Sequence, residues 1–397
     1  MILLLAGKCL VAGAAPPRSV RVWPTAMNYW EPTDIALLQR ESIEHGSVSV
    51  CEDRRRGRPR FKNIPPDLTY ARERNDVIPG RGDLRISLTS ACNLRCSYCH
   101  NEGQEAPWLQ AKTSAMLGNI DRLLEAAARY DAKSVKFSGG DPGVYAGFFM
   151  LMDAIAIWRE RYPGIQKWGI CTNGGPFLAP KKFEALVASR LDNISIGIDS
   201  VEPGEPSKPS SPVGVSGKTL VDEFVLPLLR QWNGRSIKFD TVFTGDKQRV
   251  LNVIRAARGL GINVSVLEIN GVMGTAPAKR GKFLELITET AQEYRLQPRL
   301  YEPLNEIYLY DEQENTPIKF YQDHCRDLDC GNCRKMHLRV SPTADGWGAV
   351  PCFLQAQSRT IPLMADGEFS GARFEDAIKY NGQGPQWFEG TPYDPSR

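Results

Sequence analysis

The stretch that decides the fold is Asp83-Leu84-Arg85-Ile86-Ser87-Leu88-Thr89-Ser90-Ala91-Cys92-Asn93-Leu94-Arg95-Cys96-Ser97-Tyr98-Cys99. Its first eight residues alternate like a strand, and a cysteine loop follows at once. Working outward, helical spacing covers 114–130 through Met116, Ile120, Leu123, Leu124 and Ala127. A short strand at 134–137 then runs into Gly139-Gly140. Helix 146–161, strand 168–172, helix 181–189 and strand 193–198 follow. After a Pro/Ser/Gly-rich loop at 202–218, expected to be mobile, come helix 220–232, strand 236–243, helix 247–260, strand 262–269 and helix 283–294. Six β-then-α units in series predict an α/β fold with a parallel sheet wrapped by helices. Six units suit a partial (β/α)6 TIM-like barrel better than a closed eightfold one; a doubly wound open sheet is the alternative. In both, chemistry gathers just after the strand C-termini.

Composition narrows the chemistry. The 397 residues carry a net charge of +3 and ordinary shares of apolar and charged residues, so no basic field points to nucleic acid or an anionic membrane. The four histidines, His45, His100, His324 and His337, exclude a histidine-rich metal site, and no G-x-S-x-G elbow supports a serine hydrolase. The ten cysteines stand at 9, 51, 92, 96, 99, 171, 325, 330, 333 and 352, mostly in two tight groups. Such grouping points to metal or cluster ligation rather than disulfides. The apolar start, Met1 to Ala15, has no basic segment before it, is interrupted by Lys8 and is too short for a bilayer. It reads as a buried strand or a weakly ordered start, and the chain as cytoplasmic and not membrane-bound. The basic run from Arg54 to Arg60 reads as a solvated loop.

Cys92, Cys96 and Cys99 form C-x3-C-x2-C on one short loop. Three thiolates can hold three corners of a cubane cluster, whereas zinc and ferredoxin sites normally take four protein ligands. A zinc loop or chance spacing is the competing reading of the spacing alone. This loop, with Tyr98 before its last cysteine, resembles the signature of the radical S-adenosylmethionine (SAM) family. Four further segments fall at strand ends in the family's order. Gly139-Gly140-Asp141-Pro142 is similar to its G-G-E-P segment, with Asp for the usual Glu. Thr172-Asn173-Gly174 matches its T-N-G segment, and Ser195 to Asp199 its ribose- and carboxylate-contacting strand. Residues 264–271, with Glu268, resemble the segment that packs on adenine. The resemblance implies a [4Fe–4S] cluster on Cys92, Cys96 and Cys99 whose open iron binds SAM. It places Tyr98, Gly139, Gly140, Asp141, Thr172, Asn173, Ser195, Asp199 and Glu268 around SAM. It also implies that one-electron cleavage gives a 5′-deoxyadenosyl radical, and that an external donor such as flavodoxin or ferredoxin supplies the electron. Cys171 reads as a buried strand thiol.

The second group holds Cys325, Cys330, Cys333 and Cys352. Spacing allows zinc or a second iron–sulfur cluster, and the first cluster tips the reading to iron–sulfur. The DLRIS strand, with Cys330-Gly331-Asn332-Cys333, Leu338-Arg339-Val340 and Pro351-Cys352-Phe353, resembles the GTP cyclases of molybdenum-cofactor biosynthesis. That resemblance implies an auxiliary [4Fe–4S] cluster on Cys330, Cys333 and Cys352, with Cys325 a candidate fourth ligand. It also implies arginines that clamp a triphosphate, matched here by Arg85 and Arg339. The chain departs from that pattern in three places. Its third auxiliary cysteine comes later, His337 stands where an arginine is expected, and no Gly-Gly tail ends the chain. The expected substrate is therefore a small nucleotide-, nucleoside- or sugar-like molecule, with GTP itself and a peptide-modifying maturase as alternatives. The expected divisions are an irregular extension at 1–80, the radical SAM core at 81–297 and a cluster-bearing region at 298–397. Residues 338–340 and 348–350 read as a hairpin turning at Asp345-Gly346.

Overall fold

The computed structural model describes residues 50–53, 58–61, 83–99, 113–209, 211, 213–232, 234–269, 278–301, 306–310, 318–321, 338–343, 346–349, 361–365 and 368–382. The chain divides into two compact units, Met1–Pro66 and Asp67–Arg397. In the first, β1 (Val50–Asp53) pairs antiparallel with β2 (Arg58–Phe61). Arg58 and Arg60 therefore lie on a strand, not in a loop.

The second unit is built on one twelve-stranded sheet. Its centre is β3 (Asp83–Ser87), β4 (Ser134–Ser138), β5 (Lys167–Thr172), β6 (Asn193–Gly197), β7 (Ser236–Phe243) and β8 (Asn263–Glu268). These six lie in sequence order and every neighbouring pair is parallel. The linking helices are α1 (Thr113–Arg129), α2 (Phe148–Arg161), α3 (Pro180–Ala188), α4 (Gly217–Leu220) with α5 (Leu226–Gln231), and α6 (Lys247–Gly259). Between α4 and α5 the helix widens into a π turn, Val221–Val225. Pro227 explains it: proline offers no N–H and its ring crowds the preceding carbonyl, so the ladder shifts by one residue. The single helix expected over 220–232 is thus three pieces.

Beyond α7 (Ala278–Tyr294) the sheet continues. β9 (Gln297–Tyr301), β10 (Glu306–Tyr310) and β11 (Ile318–Tyr321) form an antiparallel meander whose last strand joins β8 in parallel. On the other side, β12 (Leu338–Thr343) lies parallel to β3, and its hairpin with β13 (Gly346–Ala349) and β14 (Ile361–Pro362) completes that flank. Among the described residues the sheet thus ends in β14 and β9, and the barrel is not closed. A small hairpin, β15 (Met364–Ala365) with β16 (Glu368–Phe369), precedes α8 (Gly371–Gly382). Among the described residues no helix is long and apolar enough to cross a membrane.

Period-two alternation sorts the two faces of the sheet. Ile86, Val135, Phe137, Trp168, Ile170, Ile194, Ile196, Phe239 and Val266 are buried on the face covered by helices. Leu123, Leu124, Ile155, Trp158, Val253 and Ile254 supply the helical side of that core. The intervening positions, Arg85, Lys136, Cys171, Ser195, Lys238, Asp240 and Ser265, fall on the inner face. A TIM barrel interior is ordinarily a packed apolar core; here it is a polar lumen.

Candidate active site

The cysteine loop leaves β3 at the C-terminal end of the sheet and is held by the next two strand ends. Gly140 N–H donates to the Thr89 carbonyl at 2.7 Å, and Asp141 N–H to the Ala91 carbonyl at 2.9 Å. Glycine is required for this approach: a Cβ at Gly140 would overlap the Ala91 carbonyl, and one at Gly139 (φ +140°) the Thr89 carbonyl. From β5, Asn173 donates through its side-chain amide to Asn93 Oδ1 at 2.7 Å and lies 3.8 Å from Cys92 Sγ. Leu94 N–H points at the same sulfur from 3.4 Å.

Asp141 is 1% exposed, and its carboxylate turns to its own neighbours. It accepts from Gly143 N–H (2.7 Å), Asn173 N–H (2.7 Å) and the Thr172 hydroxyl (2.8 Å). Burial pushes its carboxyl up to about 6, against the pull of those three donors. The side chain thus braces the turn after β4 against the one after β5. Thr172 is spent on the same brace. Glu268 ends β8 at the same end of the sheet.

Cys92, Cys96 and Cys99 are half-buried thiols on one loop, none of them in a disulfide. Burial pushes the Cys92 thiol up to about 12, with Asp141 and the two other cysteines adding to it. Bound iron would invert this, since a coordinating thiol gives up its proton. Among the described residues no three His, Cys, Asp or Glu side chains close around a single metal ion. The donor set nevertheless suits a cubane: three thiols, with no fourth among the described residues of the loop, and N–H groups aimed at a sulfur. Cys325, Cys330, Cys333, Cys352 and His337 lie outside the described residues.

Other expected residues are placed differently from one another. The Tyr98 hydroxyl donates to Asp199 Oδ2 at 2.5 Å, so both lie beside the cysteine loop. Ser195 lies deeper, in the lumen, accepting from Lys136 Nζ at 2.7 Å. Arg85 and Arg339 are register partners on β3 and β12, and Lys136 is the partner of Arg85 on β4. Burial drives the Arg339 guanidinium well below its ordinary value; Arg85 adds repulsion and Cys99 opposes it. Burial also lowers Lys136. Across the lumen Lys238 pairs with Asp240 at 2.8 Å. Burial alone would raise the Asp240 carboxyl, but Lys238, Lys136 and Arg85 outweigh it and hold it low. Below lies a cavity of about 250 Å³, lined by Lys136, Ser195, Lys238, Asn263, Ser265 and Tyr321 among others. The buried Ser265 hydroxyl has no hydrogen-bond partner among the described residues.

Sequence reading missed Asn93, Lys136, Lys208, Lys238 and Asp240. The lumen residues carried a usable signal, namely polar residues at alternate positions of otherwise apolar strands. Cys171 is half-buried rather than buried, and lies close enough to Lys136 to act on its charge. The loop after β6 is tied rather than loose. Ser207 accepts from Asp199 N–H (2.7 Å) and its own N–H donates to Val215 (2.7 Å), while Pro206 bridges Ser216.

A parallel half-barrel with a three-cysteine loop at its C-terminal rim defines an enzyme of the SAM-cleaving type. Residues 86–287 match the model of the radical SAM superfamily, and the chain belongs to that superfamily. It is 27% identical over 287 residues to a "Probable GTP 3',8-cyclase" of Methanosarcina mazei, covering 68% of this chain and 77% of that one. The Methanocella arvoryzae protein of the same name is 34% identical over 119 residues, 30% of this chain and 34% of that protein. The chain thus spans about a third of the length of that relative. Among solved structures, Streptococcus suis SuiB bound to precursor peptide SuiA aligns with a TM-score of 0.50 at 16% identity. That alignment covers 77% of this chain and 66% of SuiB, a likeness of fold.

Proposed function

We propose that this radical SAM enzyme takes hydrogen from a phosphate-bearing small molecule, nucleotide- or sugar-like, held in the polar lumen. Cys92, Cys96 and Cys99 hold the [4Fe–4S] cluster. When bound, cluster and SAM supply a 5′-deoxyadenosyl radical, the hard chemistry that no side chain here can perform. The chain's own residues do the rest. Asn173 and the Leu94 N–H orient the Cys92 sulfur. The turn braced by Asp141 offers backbone groups of Gly139 and Gly140 at the rim. The half-barrel walls shield the radical from water. One observation carries the substrate class: three basic side chains of the inner face, Arg85, Lys136 and Lys238, act on one carboxylate, Asp240, and Arg339 is the register partner of Arg85 on the next strand. Guanidinium forks and ammoniums in a shielded site suit phosphate or carboxylate. The unsatisfied Ser265 hydroxyl supports a polar occupant.

The relatives' name makes GTP the first substrate to test. A second [4Fe–4S] cluster on Cys330, Cys333 and Cys352, with Cys325 as the further candidate, belongs to this proposal, as does a flavodoxin- or ferredoxin-type donor. The experiment is anaerobic: reconstituted protein, SAM and dithionite, assayed for 5′-deoxyadenosine with and without GTP. GTP-stimulated 5′-deoxyadenosine and a cyclised product support the cyclase reading. Stimulation only by other phosphorylated metabolites moves the substrate within the class. Stimulation only by neutral molecules or peptides refutes the class. Iron analysis tests the second cluster: about eight irons per chain are expected, and about four would count against it.

A further inference from the structure

The geometry points to Lys208 as a positioning residue of the SAM-cleaving site, which, through Asp199 and Tyr98, ties the cysteine loop to the sheet. This rests on Cys92, Cys96 and Cys99 holding the cluster. Lys208 and Asp199 form an ion pair at 2.9 Å with side chains only 9% and 5% exposed. Asp199 Oδ1 also accepts from Val242 N–H of β7 at 2.8 Å, and Oδ2 accepts the Tyr98 hydroxyl. One carboxylate thus joins β6, β7, the loop after β6 and the cysteine loop. Tyr98 stands between Cys96 and Cys99, so its hydroxyl bond restrains the second half of the loop that carries the thiols.

Lys208 also lies 5.6 Å from the Tyr98 ring centroid, within cation–π reach. Gly197 makes room for it, since a Cβ there would crowd Lys208 Cε at 3.1 Å. The loop delivering Lys208 is itself fixed. Arg249 of α6 bonds Glu205 at 3.3 Å, and Asn252 donates to Glu202 at 2.7 Å. The same loop meets the cysteine loop a second time, where Arg95 N–H donates to Ser211 Oγ at 3.0 Å. Without the ammonium, Asp199 would keep a buried charge short of compensation. Its grip on Tyr98 would then be shared with whatever water enters.

The test compares Lys208→Met, Lys208→Arg and Tyr98→Phe in the full reconstituted chain. Lys208→Met is expected to release iron to a chelator about tenfold faster than wild type, the low end of what outer partners of a metal site contribute. Its reduced cluster should also show a weakened SAM-dependent change in the electron paramagnetic resonance spectrum. Lys208→Arg, which keeps a cation for Asp199, should recover part of both. Tyr98→Phe should match Lys208→Met, and the double variant should lose little more, because both break one tie. Wild-type iron release from Lys208→Met, or losses that multiply in the double variant, would overturn the proposal. Should Lys208→Met not fold, Tyr98→Phe decides alone, since it leaves the ion pair in place. A wild-type chain that takes up no iron overturns the ligand assignment and this proposal with it. A loaded chain indifferent to the substitutions overturns the tie only.

Discussion

A carboxylate enclosed by three donors and almost no solvent is pulled two ways. The donors favour the anion, and desolvation favours the acid. At Asp141 desolvation wins, and the carboxyl rises from 3.8 to about 6. The sign of the stability effect follows. A carboxyl raised in the folded state favours folding when protonated, so its contribution is present below the unfolded value and lost as pH rises through about 6. In cluster-free protein, wild type should lose stability relative to Asp141→Asn between these limits, on the order of 3 kcal/mol. Urea midpoints across pH 4–7 check this; parallel curves would refute the raised carboxyl. At the same scale, Cys92→Ala should remove 5′-deoxyadenosine formation, read by chromatography of the quenched reaction. An unchanged yield would dismiss Cys92 as a ligand. The motif located both residues in the sequence. It did not reveal that Asp141 faces inward, because spacing says where a residue sits and not which donors surround it.

Elements formed by local pattern were legible in the sequence; those formed by distant pairing were not. Apart from the helix expected over 220–232, which is three pieces, the six central strands and their helices differ from expectation by only a few residues at their ends. The strands β9, β11, β14, β15 and β16 had no such signal, being too short to show a period, and β11 also depends on β8 far earlier in the chain. The hairpin at 338–349 was foreseen, but not that β12 would extend the central sheet beside β3. The link from element to site is the turn after β4. Gly140→Ala must push the turn off the Ala91 carbonyl and displace the segment that leads into Cys92. It should cost about 1–3 kcal/mol of stability, the range for overpacking, and impair cluster loading more than Gly164→Ala. Gly164 has open space around its Cα and serves as the control. Melting curves and iron content of the two variants check this. Equal loading would mean that the close approach is incidental.

At the scale of the whole molecule, the sheet inverts the usual economy of a barrel: apolar residues face outward to helices and charge faces inward. Keeping cations away from water is unfavourable unless an anion joins them. Asp240 draws on Lys238, Lys136 and Arg85 together, and Arg85 repels both Lys136 and Arg339 on the strands beside it. An anionic substrate relieves that repulsion, so its affinity should depend on the lumen's net charge. Arg85→Gln and Lys238→Gln should each raise KM for a phosphate-bearing substrate about ten- to hundredfold, from the 1.5–3 kcal/mol of a charge-assisted hydrogen bond. Asp240→Asn removes the opposing charge and should lower KM or leave it unchanged. All three lie on strands and none on the cysteine loop, so 5′-deoxyadenosine released without substrate should stay near wild type. That split separates a substrate role from a general defect: if substrate-free cleavage falls in step with KM, the lumen charges serve the cluster end instead. Salt sharpens the test, because a shielded lumen is screened less than surface charge. KM should therefore rise only modestly with ionic strength in wild type, and a steep rise would place the anion on the outer surface rather than inside the half-barrel.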